Sequence, residues 1–223
     1  SRGLGDVYKR QIKTALANSC NCYFIKLALT LGSDKLLKTA TDFGFGTEYS
    51  LMKNYNLLSA NLPKQNDLNS AGQLALFGFG QGKLTASPLS FCSALCTVAN
   101  GGYFNKPRLI IGELNSTGEY NAVDYEKPRR VISKKTSDTM LEYLRFVVES
   151  GTGKAADYKK LSAGKTSTAQ SGRYENGKEI LNTWFAGVYP YDNPEYAIVV
   201  MTENGKSGSA DCCPIFRAIV EKL

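Results

Sequence analysis

The sequence predicts an α+β fold, an antiparallel sheet flanked by helices. Three observations carry this prediction. Apolar residues recur at helical spacing in several segments of the first 150 residues, strand candidates cluster in the last third, and a proline opens a final helix. Taken in order, Phe24, Ile25, Ala28 and Leu29 form a helical stripe that Gly32 can end. A short helix follows from Ser33, with Leu36, Leu37 and Ala40 inward, up to the Phe43-Gly44-Phe45-Gly46 turn. Residues 47–70 are polar and Asn-rich and read as a long loop. Ser87 as N-cap, Pro88 at the first helical position and Gly101-Gly102 beyond Asn100 bound the next helix. Its expected inward face is Leu89, Cys92, Leu95, Cys96 and Ala99. Residues 102–132 mix Ile-Ile with Asn and Gly turns, so a β-rich excursion is expected there. Thr136 to Ser150 reads as helix through Met140, Leu141, Leu144, Val147 and Val148, closed by a flexible Gly151-Thr152-Gly153. Lys165–Gln170, Thr183–Tyr189 and Tyr196–Thr202 are the strand candidates. Asn176-Gly177 lies in the loop between the first two, and Pro190 to Pro194 makes a tight turn between the others. Strands linked this closely pair antiparallel. Pro214 opens the last helix, with Ile215, Phe216, Ile219 and Val220 apolar.

Composition narrows the chemistry. The chain has 223 residues, 27 Lys+Arg against 20 Asp+Glu, six Cys, one Trp and no His. Without histidine, Ser-His-Asp and Cys-His hydrolases, HExxH metalloproteases and His-ligated zinc are excluded. A base working near neutral pH is then a carboxylate, Tyr, Cys or desolvated Lys. The cysteines, Cys20/Cys22, Cys92/Cys96 and Cys212/Cys213, lack paired C-x2-C spacing, so no metal site is expected and packed or free thiols are preferred over disulfides. No cofactor is expected. Nor does any arginine-rich run with interleaved aromatics point to nucleic acid. The longest apolar run, Ala197–Met201, is far short of the roughly 20 residues that span a bilayer. Residues 1–11, SRGLGDVYKRQ, have no apolar period and resemble a translated sequencing-adapter tail. Setting them aside removes Arg2, Lys9, Arg10 and Asp6 and leaves 24 cations against 19 anions, or +5. Residues 12–223 are then the native part.

Two short motifs stand out. Ser19-Cys20-Asn21 immediately precedes the first apolar helix, and Gly164-Lys165-Thr166-Ser167-Thr168 lies on the first strand. Taken singly, Ser19 or Asn21 reads as a helix N-cap and Lys165 as a solvated edge charge. Cys20 reads as a small packing residue and Trp184 as core or groove floor. Their joint order overturns these separate readings. ALANSCNCYF, GQGKLTASPLSFCSALCTVANGG, SGTGKAA, AGKTSTAQ, NTWFAGVYP and EYAIVVM follow one another as in the transpeptidase domain of class B penicillin-binding proteins, which the chain resembles from Ile12 to Leu223.

The resemblance implies the penicillin-binding protein/serine β-lactamase-like fold and a serine acyltransferase that uses lysine as its base. It implies that Lys165 and Thr166 hold a peptide carboxylate, with Ser167 and Thr168 on the same substrate-binding strand. Ser19 would relay a proton to the leaving amine and Asn21 would donate to a substrate carbonyl. The strand after Lys165 would accept the substrate on its edge and lend one N–H to an oxyanion hole. The implied substrate is a D-Ala-D-Ala stem peptide, β-lactams are its mimics, and the other partners are the cell-wall synthesis machinery. The implied place is the outer face of a bacterial membrane, through an N-terminal anchor that is not in this chain.

Two departures from the family's pattern stand out. The S-x-x-K nucleophile motif should precede Ser19. Its only matches, Ser50 to Lys53 and Ser162 to Lys165, come after it and are read as chance. The chain is therefore expected to be the C-terminal part of the domain, without nucleophile or general-base lysine and inactive alone. Second, Ser167 replaces the family's Gly, and its hydroxymethyl group narrows the groove or adds a hydrogen bond. Three alternatives remain at this point. One is a non-catalytic β-lactam sensor or cell-wall-binding module; another is a serine β-lactamase, for which no E-x-x-L-N element is found between Ser19 and Lys165; the third is an α+β interaction domain whose motifs are accidental.

Overall fold

A computed structural model describes residues 11–52 and 55–223; residues 1–10, where the adapter-like tail is expected, and Lys53 of the Ser50 motif lie outside the described residues. The fold is α+β, with a three-stranded antiparallel sheet between helices. The first helices are α1 (Ile12–Ala17), α2 (Asn21–Leu31) and α3 (Ser33–Asp42). Gly32 separates the last two with a φ of +82°, a left-handed conformation that glycine adopts without a Cβ clash.

Residues 47–70 depart from the expected loop. Strands β1 (Glu48–Met52) and β2 (Tyr55–Leu58) form a hairpin, and β3 (Ala60–Asn61) pairs with β4 (Thr85–Ala86). The polar composition belongs to the outward face. Tyr49 and Leu51 alternate inward and pack with Phe104, while Ser50 faces out. The Tyr49 and Ser59 hydroxyls both donate to the Gly44 carbonyl, at 3.1 and 2.8 Å, which ties the hairpin to the turn after α3. Helix α4 (Ala71–Gly78), which carries a Ser70 cap, was not anticipated. It approaches α2 so closely that a Cβ at Gly78 would lie 2.2 Å from that of Ala28.

Helix α5 (Pro88–Ala99) starts as the sequence predicts, with Ser87 Oγ accepting from Ser90 N at 3.1 Å. Its inward face is rotated from the expected one. Cys96 is exposed, and the buried residues are Ser90, Ser93, Leu95, Thr97 and Val98. The small hydroxyls are accommodated because Ser93 and Thr97 donate back to the carbonyls of Leu89 and Ser93. The expected β-rich excursion is present as two short antiparallel ladders. Strand β5 (Tyr103–Phe104) pairs with β8 (Arg129–Arg130), and β6 (Gly112–Leu114) pairs with β7 (Tyr120–Ala122). Helix α6 (Lys134–Ser150) begins two residues earlier than expected, capped by Ser133.

The sheet runs β11 (Tyr196–Thr202), β10 (Lys178–Tyr189), β9 (Ala163–Glu175), each pair antiparallel. Both β9 and β10 extend beyond the expected ends and meet at Asn176-Gly177, whose positive φ values fit a two-residue hairpin turn. One face carries Val188, Ala163 and Ala186 against α5 and α6; the other carries Phe185 against Phe216 of α7 (Cys213–Val220). Phe216 and Val220 are buried on α7 as expected, whereas Ile215 and Ile219 are exposed. All six cysteines are free thiols.

Candidate active site

The site forms where the turn between α1 and α2 meets the start of β9. Helix α1 ends at Ala17, and Ser19 takes a left-handed φ of +48°, unusual for a residue with a side chain. Cys20 is the N-cap of α2 and no side chain caps that helix, which removes the capping role open to Ser19 and Asn21. Instead, Ser19 Oγ accepts a hydrogen bond from Lys165 Nζ, joining residues 146 positions apart. The same ammonium donates to the Thr166 carbonyl at 2.6 Å and to Thr166 Oγ1 at 3.4 Å.

The sheet register fixes the surroundings of the lysine. Lys165 lies opposite Ala186 and Ser167 opposite Trp184, so both sit on the face that packs toward α5 and α6. Phe91 of α5 packs on Trp184 with ring centroids 5.8 Å apart. Thr166, opposite the buried Phe185, points to the other face and is buried. Burial pushes the Lys165 ammonium down to about 8. Cys213 lies near enough to feel that charge, and burial pushes its thiol up to about 12.

Of the sequence-selected residues, Ser19, Lys165 and Thr166 are joined by direct hydrogen bonds. Asn21 is exposed at the first position of α2, with no hydrogen bond to its amide among the described residues. Ser167 and Thr168 are exposed along β9, whose outer edge pairs with no described strand. Thr152 was missed. Its hydroxyl and that of Thr166 share a hydrogen bond of 2.6 Å, and its N–H donates to the Ala17 carbonyl at 3.1 Å. The Gly151-Thr152-Gly153 segment read as flexible is thus a fixed turn wedged against α1. A Cβ on Gly151 would lie 2.3 Å from the Ala17 carbonyl oxygen, so the glycine that looked like slack marks a close approach.

Neither S-x-x-K match joins this cluster through its serine. Ser162 is fully buried, and its hydroxyl accepts from Tyr158 N at 3.1 Å. Ser50 lies on the outer face of β1, in the hairpin that packs on Phe104.

An α+β domain that places a desolvated lysine, flanked by serine and threonine hydroxyls, beside an open strand edge has the form of a histidine-free acyl-transfer site. The chain belongs to the penicillin-binding protein transpeptidase domain family, class B, and the family model of that description matches residues 5–221. It is 28% identical over 241 residues to the peptidoglycan D,D-transpeptidase MrdA of Haemophilus influenzae, covering 98% of this chain and 36% of that protein. It is 32% identical over 198 residues to stage V sporulation protein D of Bacillus subtilis, covering 85% and 29%. Among solved structures, the D,D-transpeptidase domain of a peptidoglycan glycosyltransferase from Eggerthella lenta superposes with a TM-score of 0.81 at 28% identity, covering 96% of this chain and 54% of that one. Penicillin-binding protein 3 of Mycobacterium tuberculosis, solved with aztreonam, gives 0.83 at 25% identity, covering 96% and 50%. The chain spans less than half the length of these curated relatives.

Proposed function

We propose that the chain is the C-terminal part of the catalytic domain of a peptidoglycan D,D-transpeptidase working on the outer face of a bacterial membrane. The observation that carries this reading is the Lys165–Ser19 hydrogen bond at the head of β9, which joins the two motifs in one cluster. In this reading the Lys165 ammonium, with Thr166 beside it, holds the terminal carboxylate of a D-Ala-D-Ala stem peptide. The peptide lies along the β9 edge past Ser167, as an added strand. The Asn21 amide, unengaged among the described residues, donates to a substrate carbonyl. In this reading a serine of an S-x-x-K segment ahead of Ser19 attacks the penultimate carbonyl. The bond to the terminal D-Ala breaks, Ser19 passes a proton to the leaving amine, and an amine of a neighbouring strand then takes the acyl group. β-Lactams enter as mimics of the acyl donor, a role supported by the aztreonam complex of the M. tuberculosis relative.

Labelling with a fluorescent penicillin tests this. The 223-residue chain should show no covalent label. The parent protein should label, and should lose the label when the serine of its S-x-x-K is replaced. Labelling of the chain at Ser50 or Ser162, or a parent sequence with no S-x-x-K ahead of Ser19, would overturn the assignment.

A further inference from the structure

Residues 104–130 form an arm that leaves the domain at β5 and returns at β8. Its root is anchored, since Phe104 is buried with Tyr49 and Leu51. Beyond the root the two limbs run side by side. Val123 N donates to the Ile111 carbonyl at 3.1 Å, Lys106 pairs with Glu126 at 2.6 Å, and Arg108 lies over the Tyr125 ring. The tip is fixed by Asn115 Oδ1, which accepts from Thr117 N and Glu119 N. The arm is therefore ordered without any partner.

Its side chains are arranged for contact. Leu109 and Ile111 are each 67% exposed, Leu114 71% and Tyr120 57%. Apolar exposure concentrated on one small excursion marks an interaction surface more often than a free one. The two-stranded ladder of β6 and β7 also has no other described strand on either edge.

Charge identifies the occupant. From residue 109 to 123 the arm carries Glu113 and Glu119 and no cation. Its base carries Lys106, Arg108, Lys127, Arg129 and Arg130 against Asp124 and Glu126. Arg129 and Arg130 are spent on main-chain carbonyls and ring faces, which leaves their charge uncancelled. Lys127 has no partner among the described residues. It lines a cleft of about 160 Å³ with Thr41, Thr47, Phe104, Lys106, Glu126 and Arg129. Six residue steps along the side-by-side limbs lead from Asn121, which pairs with Glu113, to Lys127, roughly 20 Å at a strand-like rise. That exceeds the ~8 Å screening length at physiological salt, so tip and base cannot neutralise each other within one arm. An anionic membrane or a nucleic acid would satisfy the base but be repelled by the tip. A second arm laid antiparallel satisfies both ends at once, with the apolar middle facing its own copy.

We propose that the arm is an isologous dimer interface, in which each acidic tip sits on the basic base of a second copy of this chain. A two-fold interface brings the same patch from both partners together, and a surface that is acidic at one end, apolar in the middle and basic at the other is self-complementary. The inference is independent of the acyl-transfer reading.

Sedimentation equilibrium of the chain and of its parent protein, at low and physiological salt, tests it. A salt-sensitive dimer is expected for both. Leu109→Ser with Ile111→Ser should abolish it. Glu113→Lys alone and Lys127→Glu alone should each weaken it about tenfold, whereas an equimolar mixture of those two variants should dimerise as the native chain does. The mixed pair restores opposite charge at both ends, which no other occupant would produce. All of these side chains are exposed, and an unchanged melting curve confirms that the variants fold. A monomer at every concentration, a dimer that ignores both charge reversals, or a chain dimer that is lost in the parent protein overturns the proposal. So does a dimer dispersed by Ile215→Ser on α7 but left intact by the arm variants.

Discussion

Raising the pH through 8 should switch off carboxylate recognition without unfolding the domain. Burial holds Lys165 at about 8, against an ordinary 10.5. At pH 7 about 90% of Lys165 is then cationic and at pH 9 about 10%, so affinity for a peptide carboxylate should fall about tenfold between the two. A lysine at its ordinary pKa would lose only a few per cent of its charge over that range. The sign for folding is opposite. Because the folded pKa lies below the unfolded one, the penalty of burying the ammonium is present below pH 8 and is relieved as pH rises from 8 toward 10.5. Loss of binding therefore cannot be laid to destabilisation at this site. Trp184 is the only tryptophan and sits opposite Ser167 on the Lys165 face, so its fluorescence can report occupancy. The titration is run with an N-acylated peptide ending in D-Ala-D-Ala and with its C-terminal amide. Affinity unchanged up to pH 9.5, or an amide that shows the same fall as the acid, would refute the assignment of Lys165 as the carboxylate holder.

Three further outcomes test the scaffold. Phe185→Ala removes a fully buried ring stacked edge-on against Phe216 at 4.8 Å and should cost about 3–5 kcal/mol in urea unfolding; less than about 1 would contradict the described core. Gly208→Ala would set a Cβ 2.2 Å from the Trp184 carbonyl and 2.8 Å from that of Ser167, so a loss of about 1–3 kcal/mol and a shifted Trp184 emission are expected. Asp157→Ala leaves the half-buried Arg145 guanidinium without the carboxylate it meets at 2.7 Å; a destabilisation of about 2–4 kcal/mol is expected by thermal melting.

Much of this architecture is written in local chemistry. The α5 start follows from Ser87-Pro88, the β9–β10 turn from Asn176-Gly177 and the last helix from Pro214, because each is a one-residue solution to a backbone problem. What escaped is set by contacts far along the chain. In the β1–β2 hairpin Tyr49 and Leu51 turn inward with Leu57 packed against them, and their alternation becomes legible only once Phe104 covers them. Cys96 fits the helical stripe of α5 by spacing, yet packing on more than one side of that helix turns Thr97 inward and Cys96 out. In the site, Ser19 and Lys165 were found through motif order, since nothing local in either segment points to the other. Thr152 was overlooked because flanking glycines carry the same signal for slack as for a close backbone approach.

The missing histidine acquires a physical counterpart in this geometry. A group that changes charge near neutral pH is normally an imidazole, and here burial brings an ammonium to about 8 instead. Such a lysine is useful for recognition only if its charge is not cancelled from within the protein. Cys213 is the nearby group that could do so, because a thiolate there would pair with the ammonium. Burial pushes that thiol up to about 12, so it stays protonated at the pH where Lys165 is cationic. Ser19 and Thr166 supply hydroxyl and carbonyl oxygens, which orient the ammonium without neutralising it. A carboxylate bound as proposed would meet this positive charge in a partly desolvated setting, where the attraction exceeds that of an exposed ion pair. The carboxylate also draws the lysine's pKa back up, so above pH 8 binding must take up a proton, and the heat of binding will depend on the buffer that supplies it.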